Sequence, residues 1–105
     1  MEAYKVELLK TARDELEQIF DYIFLDSPKN AQELIERIFE RFHQLEQFPK
    51  SGIALSEKVL KRKYGFRMLI EEPYIIFYNL DDGKKTVFIH RILHGARDWL
   101  SVLKE

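Results

Sequence analysis

The chain has 105 residues, a length typical of one compact domain, and 46% of them are hydrophobic, which is enough for a single core. It contains no cysteine, which excludes a disulfide framework, a thiolate zinc site and thiol catalysis. No apolar run approaches the ~18 residues of a membrane span, and the N-terminus lacks the layout of a signal peptide. Because the sequence also lacks a glycine-rich phosphate loop and any metal-ligand spacing, we expect a cytoplasmic protein with no membrane contact, no cofactor and no metal.

The formal charge of −1 hides an uneven distribution of charge along the chain. Residues 1–57 hold 7 Lys/Arg against 12 Asp/Glu, a net of −5. Residues 58–97 hold 9 against 4, a net of +5, and also contain His90 and His94. This asymmetry predicts one face that meets a polyanion, and chance clustering on solvated surfaces explains it equally well.

The N-terminal part of the chain predicts a strand followed by a helix. Residues 4–9 alternate between apolar and charged side chains, which indicates a short strand with one buried face. Thr11 is then the predicted N-cap of an amphipathic helix, with Asp14 and Glu15 in its first turn. Its apolar stripe has the helical period and consists of Ala12, Leu16, Ile19, Phe20, Ile23 and Phe24.

A second helix is predicted directly after the first. Ser27 as N-cap, with Pro28 at the first helical position, is a strong start signal because proline lacks an N–H that would be unpaired there. The turn between the two helices is so short that they must form an antiparallel hairpin, and a sheet must cover their apolar faces. The second stripe consists of Ala31, Leu34, Ile35, Ile38, Phe39, Phe42 and Leu45.

The C-terminal half predicts three successive antiparallel strands over residues 66–70, 74–80 and 86–93, which are rich in aromatic and β-branched side chains. Charged turns with a proline or a glycine separate them. Residues 96–103 then predict a short terminal helix. The whole chain, residues 1–105, is therefore predicted to be one α+β domain of order β-α-α-β-β-β, an antiparallel sheet with a two-helix hairpin packed on one face.

Four short segments, together with the order of elements, carry a resemblance to a known family. The segments are LEQFPKSG at residues 45–52, GFR at 65–67, YIIFY at 74–78 and ILHGARD at 92–98. Over nearly its whole length the chain resembles the RelE/ParE superfamily of toxins from bacterial type II toxin–antitoxin systems. The resemblance implies a toxin that inhibits growth and is made beside a cognate antitoxin, which covers and silences it.

The superfamily contains two activities on one fold, so the fold alone does not choose between them. RelE-like toxins cleave messenger RNA in the ribosomal A site, whereas ParE-like toxins poison DNA gyrase without cutting anything themselves. The sequence favours the first, a metal-independent, ribosome-dependent endoribonuclease with ribosome and mRNA as partners, slightly over gyrase inhibition. A third interpretation is an attenuated toxin that acts only through antitoxin binding.

The candidate catalytic residues are cations and histidines of the predicted sheet. Metal-free RNA cleavage needs proton transfers, which histidine suits, and stabilised phosphate charge, which the fork of arginine donors suits. Arg67 corresponds to the strand arginine of RelE-like nucleases and is the predicted phosphate clamp, and His94 is the predicted acid or base. Arg97, Arg91 and His90 complete the set. Because strand residues alternate between faces, we expect only one of His90 and Arg91 to join His94 and Arg97 in one groove.

Each of the main candidates also has an ordinary structural interpretation. Arg67 would form a surface ion pair with Glu71 or Asp81. His94 would hydrogen-bond a carbonyl at the end of its strand. Arg97 would pair with the aspartate that follows it and cap the final turn.

A basic run before the predicted strand at residues 66–70 is a candidate nucleic-acid contact, because cations hold phosphates and an aromatic ring stacks on a base. Such a run is more often a solvated loop, and tyrosines near strands more often lie at the edge of the core with a hydrated hydroxyl. The predicted nucleic-acid-binding residues are Lys61, Arg62, Lys63 and Tyr64.

Overall fold

The computed structural model describes residues 3–56 and 65–104. The elements in chain order are β1 (Lys5–Leu8), α1 (Lys10–Asp26), α2 (Pro28–Gln47), β2 (Ile53–Ala54), β3 (Arg67–Glu71), β4 (Tyr74–Asp81), β5 (Thr86–His94) and α3 (Trp99–Lys104). The five strands form one sheet in the order β1-β5-β4-β3-β2. The predicted α+β class, the hairpin of helices, the three-stranded meander and the short terminal helix are confirmed.

The sheet is mixed rather than wholly antiparallel. β3, β4 and β5 form the predicted antiparallel meander, but β1 pairs in parallel with β5, with Lys5 opposite Thr86. The alternation of side chains in β1 reports which face is buried and contains no information on the direction of its neighbour. A two-residue strand, β2, adds to the outer edge of β3 and was not predicted.

α1 begins one residue before the predicted cap. Its N-cap is Leu9, which makes no side-chain capping bond. The Leu9 N–H instead donates to the carbonyl of Ile89 at 3.0 Å, so pairing with β5 continues to the first turn of the helix. The prediction of Thr11 as N-cap was wrong for this reason, and Glu15 consequently lies in the second turn of α1.

α2 begins where the sequence predicts. Ser27 is its N-cap, and the side-chain oxygen of Ser27 accepts a hydrogen bond from the Asn30 N–H at 3.2 Å. Pro28 is the first helical residue. This signal is local, since it depends only on residues in contact along the chain, and that is why it predicts the structure well.

The sheet separates two apolar clusters. α1 and α2 cover one face, where Ile76, Tyr78 and Ile89 are fully buried against them. α3 covers the other face, and the Trp99 ring lies 5.3 Å from the ring of Phe77. Within the described ranges, no helix is long and apolar enough to cross a membrane.

Candidate functional site

Arg67 is bound to the backbone of the segment that follows α2. Its Nη1 donates to the carbonyl oxygens of Lys50 at 3.1 Å and Gly52 at 3.0 Å. Tyr78, directly opposite Arg67 on β4, accepts a hydrogen bond from the Gly52 N–H at 2.8 Å. We call this arrangement of residues 50–52, Arg67 and Tyr78 the 50–52 clasp. Carbonyl oxygens thus take the place of the carboxylate partners that the sequence suggested for this arginine.

The clasp makes stability depend on pH. Burial raises the pKa of Tyr78 above its ordinary value of 10.0, and the Gly52 N–H bond and the charge of Arg67 lower it by less. The folded state therefore holds the Tyr78 proton more tightly than the unfolded state does. This difference contributes fully to the free energy of unfolding below about pH 10, and the contribution is lost at higher pH, because the unfolded phenol ionises first. Urea unfolding from neutral to alkaline pH should show this loss, and Tyr78→Phe should reduce its slope. An unchanged slope in Tyr78→Phe would contradict the assignment.

His94 and Arg97 lie together in a groove between α1 and the ends of β4 and β5, and Tyr22 and Tyr74 also line it. We call it the Tyr74 groove. The Nδ1 atom of His94 accepts a hydrogen bond from the Ala96 N–H at 3.0 Å, rather than donating to a carbonyl. Its ring contacts Tyr74 edge-on, with 5.4 Å between ring centroids.

Tyr22 is a residue of this groove that the sequence did not single out. It projects from α1 with 79% of its surface exposed. Burial raises the pKa of Tyr74, and the neighbouring Tyr22 raises it further. The sequence feature that could have identified Tyr22 is its position between Ile19 and Ile23 but outside the core stripe of α1.

Arg91 forms an ion pair across the edge of the sheet. Its guanidinium donates to both carboxylate oxygens of Glu15 on α1, at 2.8 to 3.1 Å. The same carboxylate accepts a hydrogen bond from the Ile92 N–H at 3.0 Å. Because β1 ends at Leu8, opposite Ile89, this N–H lies beyond the part of β5 that β1 pairs with. Glu15 therefore replaces the missing strand as an acceptor.

His90 is an extra residue in β5. Phe77 lies opposite Arg91 and the next residue of β4 lies opposite Ile89, so the register shifts at His90. The Nε2 atom of His90 lies 2.9 Å from Oδ1 of Asn79, and its ring meets Phe66 edge-on at 4.9 Å. This bulge changes the alternation of side chains.

The bulge also changes which candidates meet. His90 and Arg91 line the same cavity, beside Lys10 and Thr11, and neither lines the Tyr74 groove. The expectation that one of the two would join His94 was wrong, because it assumed regular alternation through the strand.

Arg67 lies far from His94. Arg67 is opposite Tyr78, and His94 is opposite Tyr74, so the two lie four residues apart along the strands and two strands apart across the sheet. At about 3.4 Å per residue and about 4.8 Å per strand, their backbones are about 17 Å apart. A proton-transfer group must lie about 3 Å from the proton that it moves. The structure therefore does not bring the predicted clamp and the predicted acid or base together.

The comparisons with known proteins agree with this fold. Residues 6–99 match the family described as the ParE toxin of the type II toxin–antitoxin system parDE. The chain belongs to the ParE toxin family. The resemblance to the RelE/ParE superfamily that the sequence predicted is confirmed. No curated protein matches the chain.

Two solved structures resemble this ParE family member. The chromosomal ParDE system from P. aeruginosa gives a TM-score of 0.69 at 21% identity, covering 90% of this chain and 98% of that one. The toxin–antitoxin complex RelBE2 from Mycobacterium tuberculosis gives a TM-score of 0.63 at 25% identity, covering 92% of this chain and 97% of that one. The likeness at 21% identity concerns the fold.

Other predictions for this ParE family member remain predictions. Lys61, Arg62, Lys63 and Tyr64 lie outside the described residues. Within the part of the chain that the structure describes, no group of three His, Cys, Asp or Glu side chains is placed to hold a metal ion.

Proposed function

We propose that this ParE family toxin inhibits growth by binding a protein target, DNA gyrase, and does not itself cleave nucleic acid. The observation that carries the proposal is the dispersal of the candidate catalytic residues. Arg67 belongs to the 50–52 clasp, and His94 lies about 17 Å away in the Tyr74 groove. Cleavage without a metal needs a proton-transfer group and a phosphate clamp at one phosphate, and this arrangement supports it less well than binding.

Two further observations favour binding over RNA cleavage. Arg91, a second candidate for the phosphate, already holds the Glu15 carboxylate through both oxygens. The position on the next strand that is often an arginine in RelE-like nucleases is Ile75, which is 8% exposed in the apolar cluster under α3. Both positions therefore serve the fold of this protein.

The Tyr74 groove has the composition of a protein-binding surface. Tyrosine and arginine are enriched among the residues that dominate binding energy at interfaces. Tyr22 and Arg97 are both exposed and line this groove together with the Tyr74 and His94 rings. A polypeptide segment of the target would bury these side chains, and we place the contact with gyrase here.

A cognate antitoxin is part of the proposal. Both solved structures described above are toxin–antitoxin systems, which supports a partner of that kind for this chain. An antitoxin segment ordered on binding would silence the toxin by covering the same surface.

Growth assays with induced expression separate binding from RNA cleavage. His94→Gln keeps a polar side chain in the groove but cannot transfer protons near neutral pH, so we expect it to retain most of the growth inhibition of the natural chain. Tyr22→Ala and Arg97→Ala should each weaken inhibition about tenfold, the effect of losing an interface residue worth about 1.4 kcal/mol.

Leu25→Ala is the matched control for Tyr22→Ala, because Leu25 lies on the same helix, is 88% exposed and does not line the groove. It should leave inhibition unchanged. Loss of toxicity in His94→Gln, with full toxicity in Tyr22→Ala, would reverse the proposal in favour of cleavage. Failure of the natural chain to slow growth even at strong induction would instead indicate an attenuated toxin.

A further inference from the structure

A histidine side chain helps to form the turn that joins β5 to α3. The Nδ1 atom of His94, the last residue of β5, accepts a hydrogen bond from the Ala96 N–H at 3.0 Å. The Arg97 N–H donates to the backbone carbonyl oxygen of His94, also at 3.0 Å. We call residues 94–97 the His94 turn, and its shape depends on both acceptors of one residue.

The side-chain bond of His94 has the pattern of an Asx turn. In an Asx turn, the side-chain oxygen of an aspartate or asparagine accepts a hydrogen bond from the backbone N–H two residues later. His94 makes the same bond to Ala96 with a ring nitrogen. An asparagine oxygen remains an acceptor at every pH, whereas a ring nitrogen stops accepting when it is protonated.

The acceptor role of Nδ1 fixes the protonation state of His94. A neutral imidazole has its proton on one ring nitrogen and accepts with the other, so the proton of His94 lies on Nε2 in this turn. A protonated imidazole has an N–H on both nitrogens and accepts no hydrogen bond. The Nδ1–H of a protonated His94 would therefore meet the Ala96 N–H donor to donor, and the turn would lose this bond.

The turn positions an exposed cation and the start of α3. Arg97 is exposed and lines the Tyr74 groove. Asp98 directly follows the turn, and its carboxylate accepts a hydrogen bond from the Ser101 hydroxyl of α3 at 2.8 Å. Loss of the bond from Ala96 to His94 would therefore loosen the chain between these groups and the sheet.

Contacts on either side of the turn confine this change to a few residues. The Gly95 N–H donates to the Pro73 carbonyl oxygen at 2.7 Å, which keeps the end of β5 beside the end of β4. Trp99 at the start of α3 lies against Phe77, with 5.3 Å between the ring centroids. Neither contact involves the His94 ring, so the sheet and α3 stay in place when the turn opens.

His94 is the group of this groove whose charge changes near neutral pH. The other titratable or charged side chains that line the groove within the described residues are Glu15, Tyr22, Tyr74 and Arg97. The Glu15 carboxylate already binds Arg91 through both oxygens. Arginine stays charged and tyrosine stays neutral throughout the range in which histidine titrates.

We propose that the His94 turn is a pH-sensitive switch, closed by neutral His94 and opened when the ring is protonated. The closed turn, with the bond from Ala96 formed, holds Arg97 in the Tyr74 groove. The bond stabilises the turn at higher pH and is lost as the pH falls through the range of histidine titration, from about pH 8 to about pH 5. The switch depends on this chain alone, and so it does not rest on the target that the groove binds.

Nuclear magnetic resonance of the isotope-labelled protein tests the switch. Ring correlations of His94 should place its proton on Nε2 at about pH 8 and protons on both nitrogens at about pH 5. The Ala96 amide signal should shift in step with this titration. Backbone order parameters of Ala96 and Arg97 should fall from about 0.85 toward about 0.6 over the same range. A proton on Nδ1 at the higher pH, or order parameters that do not change, would overturn the proposal.

Two substitutions separate the hydrogen bond from the aromatic ring. His94→Asn keeps an acceptor that does not titrate, so the turn should stay ordered at both ends of the pH range. His94→Ala removes the acceptor and should lower the ratio of closed to open turn about fivefold at both ends, the factor expected for one hydrogen bond. Circular dichroism verifies the fold of both variants. Equal order in the two variants, or loss of order in His94→Asn at acidic pH, would contradict the switch.

His43→Gln is the matched control for titration elsewhere in the chain. His43 is exposed on α2 and lies 3.5 Å from the carboxylate of Glu46, outside the turn. This variant should show the same pH dependence of the Ala96 amide as the natural protein. Loss of that dependence would assign the effect to His43 and overturn the role of His94.

Discussion

Replacing Gly52 with alanine is expected to lower the free energy of unfolding by about 2 to 4 kcal/mol. A Cβ at this position would lie 2.5 Å from the Tyr78 hydroxyl oxygen and 2.8 Å from the Met68 carbonyl oxygen. The Tyr78 side chain is fully buried and the Met68 carbonyl belongs to the sheet, so neither can move aside readily. The segment must shift instead, and the bond from the Gly52 N–H to Tyr78 is lost with it.

Urea unfolding at neutral pH measures this effect. Gly65→Ala is the matched control, because a Cβ there has no neighbour within 4 Å. Its stability should stay within about 0.5 kcal/mol of the natural protein. Tyr78→Phe should be intermediate, since it removes the acceptor of the bond but creates no overlap. Equal stability of the two alanine variants would contradict the clasp as the reason for glycine at this position.

The second large effect is expected for Glu15→Ala, which should destabilise the fold by about 2 to 4 kcal/mol. The Glu15 side chain is 14% exposed and the Arg91 side chain 25% exposed, so water replaces the lost carboxylate incompletely. The substitution removes the shared acceptor of the Arg91 guanidinium and of the Ile92 N–H. It also removes a polar contact between α1 and this edge of the sheet.

Glu17→Ala is the control for this change, because Glu17 is exposed on the same helix and should change stability by less than about 0.5 kcal/mol. A double-mutant cycle with Arg91→Met isolates the pair, and we expect a coupling energy of about 1 to 3 kcal/mol. A loss in Glu15→Ala no larger than that in Glu17→Ala would show that the ion pair contributes little.

The parts of the fold that the sequence predicted well depend on local signals. Ser27 with Pro28 specifies the start of α2 through bonds within one turn. The strands of the meander follow from β-branched and aromatic runs interrupted by turn residues. Features set by distant partners were not predictable in this way. The parallel direction of β1, the cap at Leu9 and the register shift at His90 all depend on how β5 pairs with its neighbours.

The same distinction between local signals and distant partners applies to the candidate site. The sequence identified Arg67 and Arg91 by chemical type, and that type suits either a phosphate or a protein oxygen. The acceptors of these two arginines are the Gly52 carbonyl and the Glu15 carboxylate, which lie 15 and 76 positions away along the chain. Periodicity could not find partners at such distances. Helical period likewise cannot tell a buried phenylalanine such as Phe42 from a half-exposed one such as Phe24, because the apolar stripe of a helix is about 100° wide and includes residues at its edge.

The most direct test of the proposed function is a gyrase supercoiling assay with the purified protein, run beside a cell-free translation reaction in which messenger 5′ ends are mapped. We predict that supercoiling is inhibited and that messenger stays intact on translating ribosomes. Unaffected gyrase, together with new 5′ ends that appear only on translating ribosomes, would contradict the proposal and assign this toxin to RNA cleavage.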